Sequence, residues 1–474
     1  MSQWIAARLR HAGMKKKEIF LEESVLVVSV IKWFFLATCV GAMVGLSTSL
    51  FIEILNWSIF YTARYKYYFL LLPPALFVSA LFIKYMAPEA EGHGTEKVVE
   101  AIHKYGARIN PLAVPVKLVT TVVTIAAGGS VGKEGPAAQI GAGLSSIFAD
   151  VFGFEPDDRR RLVICGISAG FASVFGTPIA GAIFGVEVLF IGSMIYDVLL
   201  PSFVAGVVSY QVSSAMGIEY FYKPIEFVPR FSEGFFIEVL MGAIFFGICS
   251  FLLIEALRAA EFASSKINIW KPLKGIIGGI IIIALAFLTS TRYLGLGLET
   301  IHDVLEGSKA LPYDFLLKIV FTSITLAFCG SGGMVTPIFF IGATAGSIYA
   351  VVTGLDPSMF AAIGMVSLLA GAANTPISAS IMAMEFFGPK IAPYAAVACV
   401  VSYLITGHRS VYPSQVLAIS KSPSIVIRKG VEMEELRSIK IRHRPKSLMN
   451  VAVKLFDKIK HMKNILKGRK KKSR

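Results

Sequence analysis

The chain carries GSVGKEGP at residues 129–136 and, 201 positions later, GSGGMVTP at residues 330–337. Gly, Ser, Gly and Pro stand at the same places in both. The glycines let the backbone turn sharply and present consecutive N–H groups. Pro136 and Pro337 suit a first helical turn, and the apolar run after each supplies the helix. A helix start inside a membrane offers unpaired N–H donors and a partial positive charge, which attract an anion without a full buried cation to trap it. A single Gly-rich turn before Pro reads as packing. Two of them, facing each other across a pseudo-twofold axis, read as one anion site.

A second block repeats further out. GTPIAGAIFGVE at residues 176–187 matches NTPISASIMAME at residues 374–385, now 198 apart, with Pro178 and Pro376, and Glu187 and Glu385, at equal spacing. Pro156 and Pro357 align between the blocks. The expected organisation is a basic leader at 1–23, a first repeat at 24–215, a linker at 216–230, a second repeat at 231–420 and a basic tail at 421–474. Inverted orientation of the repeats follows from transporter precedent, not from the letters.

Composition sets the environment. The 474 residues are 55% hydrophobic and 16% charged, with a mean hydropathy of +0.67, too apolar for a soluble domain of this size. Apolar runs such as residues 24–54, 235–257 and 275–294 are long enough to span a bilayer. The first follows the basic leader and reads as a retained anchor. Many later runs are short and broken by Gly, Pro or a polar residue. Helices that stop inside the membrane are tolerated where the loose backbone faces a cavity or other protein, and they point to a transporter site. The expected fold class is therefore an all-α polytopic membrane protein with two inverted-topology repeats of broken and tilted helices.

The net charge is +15, and residues 428–474 hold 17 Lys and Arg against four acids. Basic flanks stay cytoplasmic, which places both termini inside a multi-pass protein of the cell membrane. The excess does not signal nucleic acid. Leu448, Val451, Leu455, Ile459, Met462 and Leu466 recur three or four apart among lysines, the pattern of a helix lying on anionic lipid. Arg159 to Arg161 read as a cytoplasmic anchor in a loop. Cys39, Cys165, Cys249, Cys329 and Cys399 lie apart in apolar segments, so neither disulfides nor a metal site is expected. No cofactor is implied, and no HExxH motif or paired intramembrane aspartates suggest an enzyme.

Glu134 is the sharpest single residue. An intramembrane carboxylate is costly and is usually functional. Ionised, it can mimic the anion and block the path; protonated, it leaves, and that links proton to anion movement. The plainer reading is a salt bridge to Lys133 or another cation. Glu187 and Glu385, being repeat mates, read as structural acids.

GKEGP resembles the GREGP signature of CLC chloride channels and chloride/proton exchangers. GMVTP occupies the place of their GxFxP signature, GHGTE at residues 92–96 that of GSGIP, and Tyr412 in SVYPSQVL that of a tyrosine reaching the central anion from the last helix. The resemblance runs from about residue 24 to about residue 425. It implies that N–H groups around Lys133, Glu134 and Gly135, and around Met334, Val335 and Thr336, hold anions, that Tyr412 contacts the central one, and that Glu134 is the external gate. It also implies a homodimer with one pore per subunit, joined through helices around 177–215 and 375–405. Three departures stand out. His93 replaces the signature serine, leaving an imidazole to face the anion or merely to fill the turn. Val335 with Thr336 is similar to the fluoride-exporting branch. Val188 stands where exchangers carry an inner proton-transfer glutamate. The expected function is transport of chloride-type halides coupled to protons, with a passive voltage- or pH-gated chloride channel and a fluoride/proton antiporter as alternatives.

Overall fold

The computed structural model describes residues 2–225, 229, 232–436 and 440–441, with side chains from residue 20 to residue 436 among these. The amphipathic tail helix expected over 448–472 lies outside the described residues. Among the described residues, eight α-helices make each half. The first holds α1 (Ser2–Ala63), α2 (Leu72–Met86), α3 (Thr95–Lys104), α4 (Ala113–Ala126), α5 (Glu134–Val151), α6 (Pro156–Phe175), α7 (Pro178–Glu187) and α8 (Leu199–Ala215). The second repeats them as α9 (Glu233–Ser265), α10 (Lys271–Leu288), α11 (Leu298–Leu305), α12 (Asp314–Ala327), α13 (Val335–Thr353), α14 (Pro357–Ala373), α15 (Pro376–Phe387) and α16 (Ala392–Thr406).

Packing repeats with the elements. α5 lies on α6 as α13 lies on α14, α1 on α8 as α9 on α16, while α2 meets α10 and α7 meets α15 across the halves. Glycines set the two closest crossings. A Cβ on Gly141 would overlap the Gly166 carbonyl and one on Gly166 the Gly141 carbonyl; Gly342 and Gly364 stand in the same reciprocal relation. Without a hydrophobic drive between helices in lipid, such close backbone approach supplies the packing.

Six described helices are long and apolar enough to cross a membrane, α1 contributing the 44-residue stretch Phe20–Ala63. Others are short: α4 and α12 have 14 residues each, about 21 Å of helix against a hydrocarbon core of about 30 Å. Their C-terminal ends stop inside the protein, where Ala126, Ala127, Leu326 and Phe328 are buried.

Boundaries follow local chemistry. α6 and α14 start on Pro156 and Pro357 and end on left-handed Gly176 and Asn374, equivalent positions in the two blocks. Arg159 to Arg161 lie in the opening turns of α6, not in a loop as expected, because Pro156 preforms the first turn and Asp157 and Asp158 complement its dipole. The span expected over 275–294 ends at Leu288; Ser290 accepts from the Arg292 N–H and starts a short 3-10 turn at Thr291–Tyr293 instead. The five cysteines are free, three of them buried.

Candidate functional site

The two Gly-rich loops meet. Gly132 N–H donates to the Gly333 carbonyl at 2.7 Å, and Gly333 N–H to the Gly132 carbonyl at 2.6 Å. Equivalent residues paired antiparallel are what a twofold axis between them produces. Each loop is latched to both halves. Gly129 and Gly330 N–H groups donate to the carbonyls of Thr124 and Thr325, at 2.8 Å each. Ser130 and Ser331 N–H groups donate crosswise to the hydroxyls of Thr325 and Thr124, at 3.2 Å each. The starts of α5 and α13 are thereby held face to face.

Glu134 opens α5 and is fully buried. Its Oε2 accepts from the Thr336 N–H at 3.2 Å, and its Oε1 accepts from the Thr336 hydroxyl. Among the described residues it pairs with neither Lys133 nor any other cation. The carboxylate of one half thus occupies the donors at the helix start of the other. Met334 and Val335, beside Thr336, are buried as well.

The segment GHGTE packs against this site. Gly94 has φ +29, and a Cβ there would overlap the Gly135 carbonyl; a Cβ on Gly135 would come 3.3 Å from the His93 carbonyl. His93 is 8% exposed, its ring 6.4 Å from that of Tyr412. Tyr412, 1% exposed, is carried not by the last helix but by the loop after α16. A buried polar knot holds that loop: Ser410 Oγ accepts from Tyr412 N–H and donates to Gln415 Oε1, while Gln415 Nε2 donates to the carbonyls of Val188 and Ala373. Glu134, Gly135, Met334, Val335, Thr336, His93 and Tyr412 therefore come together. Lys133 lies at the edge, partly buried.

Two further pairs of charges follow the same symmetry. Glu187 accepts from the N–H groups of Ile377 and Ser378 at 3.0 and 2.8 Å, and Glu385 from those of Ile179 and Ala180 at 2.9 and 2.8 Å. Each acid caps the helix that carries the other, charge-assisted bonds at the positive end of a dipole. Sequence reasoning missed the buried lysines. Lys117 donates to the carbonyls of Ala90 and Gly92, and Lys318 to those of Tyr293 and Gly295. The signal was present, since both are cations in apolar helices at the 201-residue offset.

Known proteins resemble this chain in sequence and fold. Residues 75–407 match the family model described as Voltage gated chloride channel. A chloride/fluoride channel protein of Pseudomonas syringae pv. tomato is 38% identical over 418 residues, covering 86% of this chain and 92% of that protein. The voltage-gated ClC-type chloride channel ClcB of Shigella flexneri is 26% identical over 403 residues, covering 81% and 92%. Among solved structures, a CLC-type fluoride/proton antiporter aligns with a TM-score of 0.78 at 27% identity, covering 82% of this chain and 98% of that one. A slow cyanobacterial Cl−/H+ antiporter shares the fold, with a TM-score of 0.70 at 19% identity over 79% and 94% of the two chains. With most of its membrane portion inside the family model and a 38% identical relative along nearly its full length, this chain belongs to the voltage-gated chloride channel family, the CLC family, whose members move small anions across membranes.

Proposed function

We propose that this chain exchanges a small halide for protons through Glu134, and that fluoride is the halide it favours. The observation that carries the reading is the Glu134 carboxylate seated on the Thr336 N–H and hydroxyl. A mobile anion and the carboxylate want the same donors, so one expels the other, and expulsion is easier once the acid is protonated. A carboxylate oxygen and a fluoride ion are both hard, strongly hydrated acceptors, and charge-assisted O–H and N–H donors suit both. The names of the Pseudomonas relative and of the solved fluoride/proton antiporter point the same way. Chloride exchange remains the nearest variant, since the same donors serve it less selectively.

A passive channel is the second reading, favoured by Val188, which is fully buried and holds no proton. We further propose a homodimer with one pore per subunit and both termini cytoplasmic. Exposed Ile179, Val207, Ile377, Val400 and Leu404 on α7, α8, α15 and α16 supply an apolar contact face. The test is flux from liposomes of purified protein, with fluoride, chloride and pH electrodes read together. Proton uptake driven by a fluoride gradient, and stronger than that driven by chloride, is expected. Anion flux with no proton movement overturns exchange in favour of the channel.

A further inference from the structure

The approach to the anion site from the side of the Tyr412 loop contains a second carboxylate. Glu96 stands in the first turn of α3, three residues past His93. Its Oε1 accepts from the Ser414 N–H at 3.0 Å and from the Ser414 hydroxyl at 2.5 Å. Its Oε2 is enclosed and meets no donor; the Nδ1 of neighbouring His93 is enclosed and unpaired too. A bare, buried carboxylate oxygen is costly while the group is charged. A proton placed on it makes a donor and breaks no existing bond.

A cavity of about 450 Å³ reaches both side chains from the surface, where Lys271 and Glu91 form an exposed ion pair at 2.6 Å. Thr95, buried beside Glu96 in the chain, lies within reach of the Tyr412 phenol, and Tyr412 lies within electrostatic reach of both Glu96 and Glu134. The other charges facing this path are Lys97 and Glu100 on α3, paired at 2.8 Å, Lys117 on α4, Glu261 on α9 and Lys274 on α10.

We propose that Glu96 is the proton port on this side of the exchanger, taking protons from the cavity and passing them along the Thr95 and Tyr412 hydroxyls toward Glu134. The step balances as simple proton transfer. Glu96 gains a proton at Oε2, each hydroxyl accepts one proton and releases its own, and Glu134 ends as the neutral acid with Glu96 again a carboxylate. The inference rests on the exchange reading above.

The test uses full-length protein in liposomes, with a fluoride gradient as the driving force and proton uptake read beside anion efflux. Glu96→Gln is expected to reduce proton uptake to the background of protein-free vesicles and shift the reversal potential toward that of the anion, while anion efflux persists. Glu96→Asp restores proton uptake, and Glu261→Gln, at the same cavity, keeps wild-type coupling. If Glu96→Gln loses both fluxes and Glu96→Asp restores them, a carboxylate is required and the port stands. If Glu96→Asp fails to restore them, Glu96 is a brace for the Tyr412 loop and the port is overturned. Wild-type coupling in Glu96→Gln, or equal loss of coupling in Glu261→Gln, overturns it too. A wild-type protein that moves anions and no protons brings down the exchange reading itself, and the port with it.

Discussion

The starts of α5 and α13 are built on one frame and end in different chemistry. Gly132 and Gly333 pair with each other, and the Thr124 and Thr325 latches are interchangeable. The next three positions differ. Lys133, Glu134 and Gly135 on one side stand against Met334, Val335 and Thr336 on the other. One half supplies a carboxylate; its mate supplies a hydroxyl and no charge. A fully symmetric site with two carboxylates would repel itself, and one with none would have no proton-sensitive occupant. Symmetry brings two helix starts to one point, and breaking it at three residues places the carboxylate of one half on the donors of the other. The acids Glu187 and Glu385 make the contrast plain, because there the symmetry is kept and each simply caps the other's helix.

The sharpest way to break this comparison is to remove the charge from the asymmetric carboxylate. Glu134→Gln mimics the protonated state, and is expected to abolish anion-driven proton flux and the pH dependence of anion efflux, while efflux itself continues. Paired anion and pH electrodes check it; a variant that still transports with normal coupling sinks the gate assignment.

Next comes the receiving side. Thr336→Val removes the hydroxyl from the donor pair. Hydrogen bonds to charged groups contribute about 1.5–3 kcal/mol, so anion affinity should fall by at least about tenfold. The loss should be greater for fluoride than for chloride, and Thr336→Ser should recover most of it. Isothermal titration with each halide reads this directly.

The symmetric frame should respond symmetrically. Gly141→Ala and Gly342→Ala each push a methyl into a facing carbonyl, an overpacking that costs about 1–3 kcal/mol. Matched drops in thermal stability in detergent are expected, with coupling ratios unchanged. Strongly unequal drops would mean that the two crossings are not equivalent.

The smallest effect is expected from Glu187→Gln and Glu385→Gln. Each keeps an acceptor at the capped helix and loses the charge, for about 1 kcal/mol of stability. Neither should move the reversal potential. A shift in Glu187→Gln alone would give that acid a transport role its mate lacks.

Much of the fold was legible because its signals are local. Hydropathy marks apolar helices within a window of about 20 residues. Pro marks their starts and Gly or Asn their ends, as Pro156, Gly176, Pro357 and Asn374 show. Local reading failed where competing chemistry lay just beyond the window. The span read to Leu294 takes in the polar residues 289–292, before which the helix ends at Leu288, and the triple arginine is helical because of the proline and acids before it. The aligned tyrosine implied a helix; Tyr412 sits instead on a loop tied down by Gln415, whose carbonyl partners are 42 and 227 residues away.

By itself the sequence determined the membrane class, the duplication, and that two equivalent Gly-rich turns each open a helix at the 201-residue offset. It also determined where the halves differ, since Glu134 aligns with Val335 and Gly135 with Thr336. An offset states which residues are equivalent, not which ones meet. That the Glu134 carboxylate lands on Thr336, one position beyond its own equivalent, was decided by the tertiary structure alone. So were the exchange of caps between Glu187 and Glu385 and the unpaired oxygen of Glu96. Those contacts join residues about two to three hundred positions apart, and their geometry depends on the glycine-mediated crossings that set how closely whole helices approach.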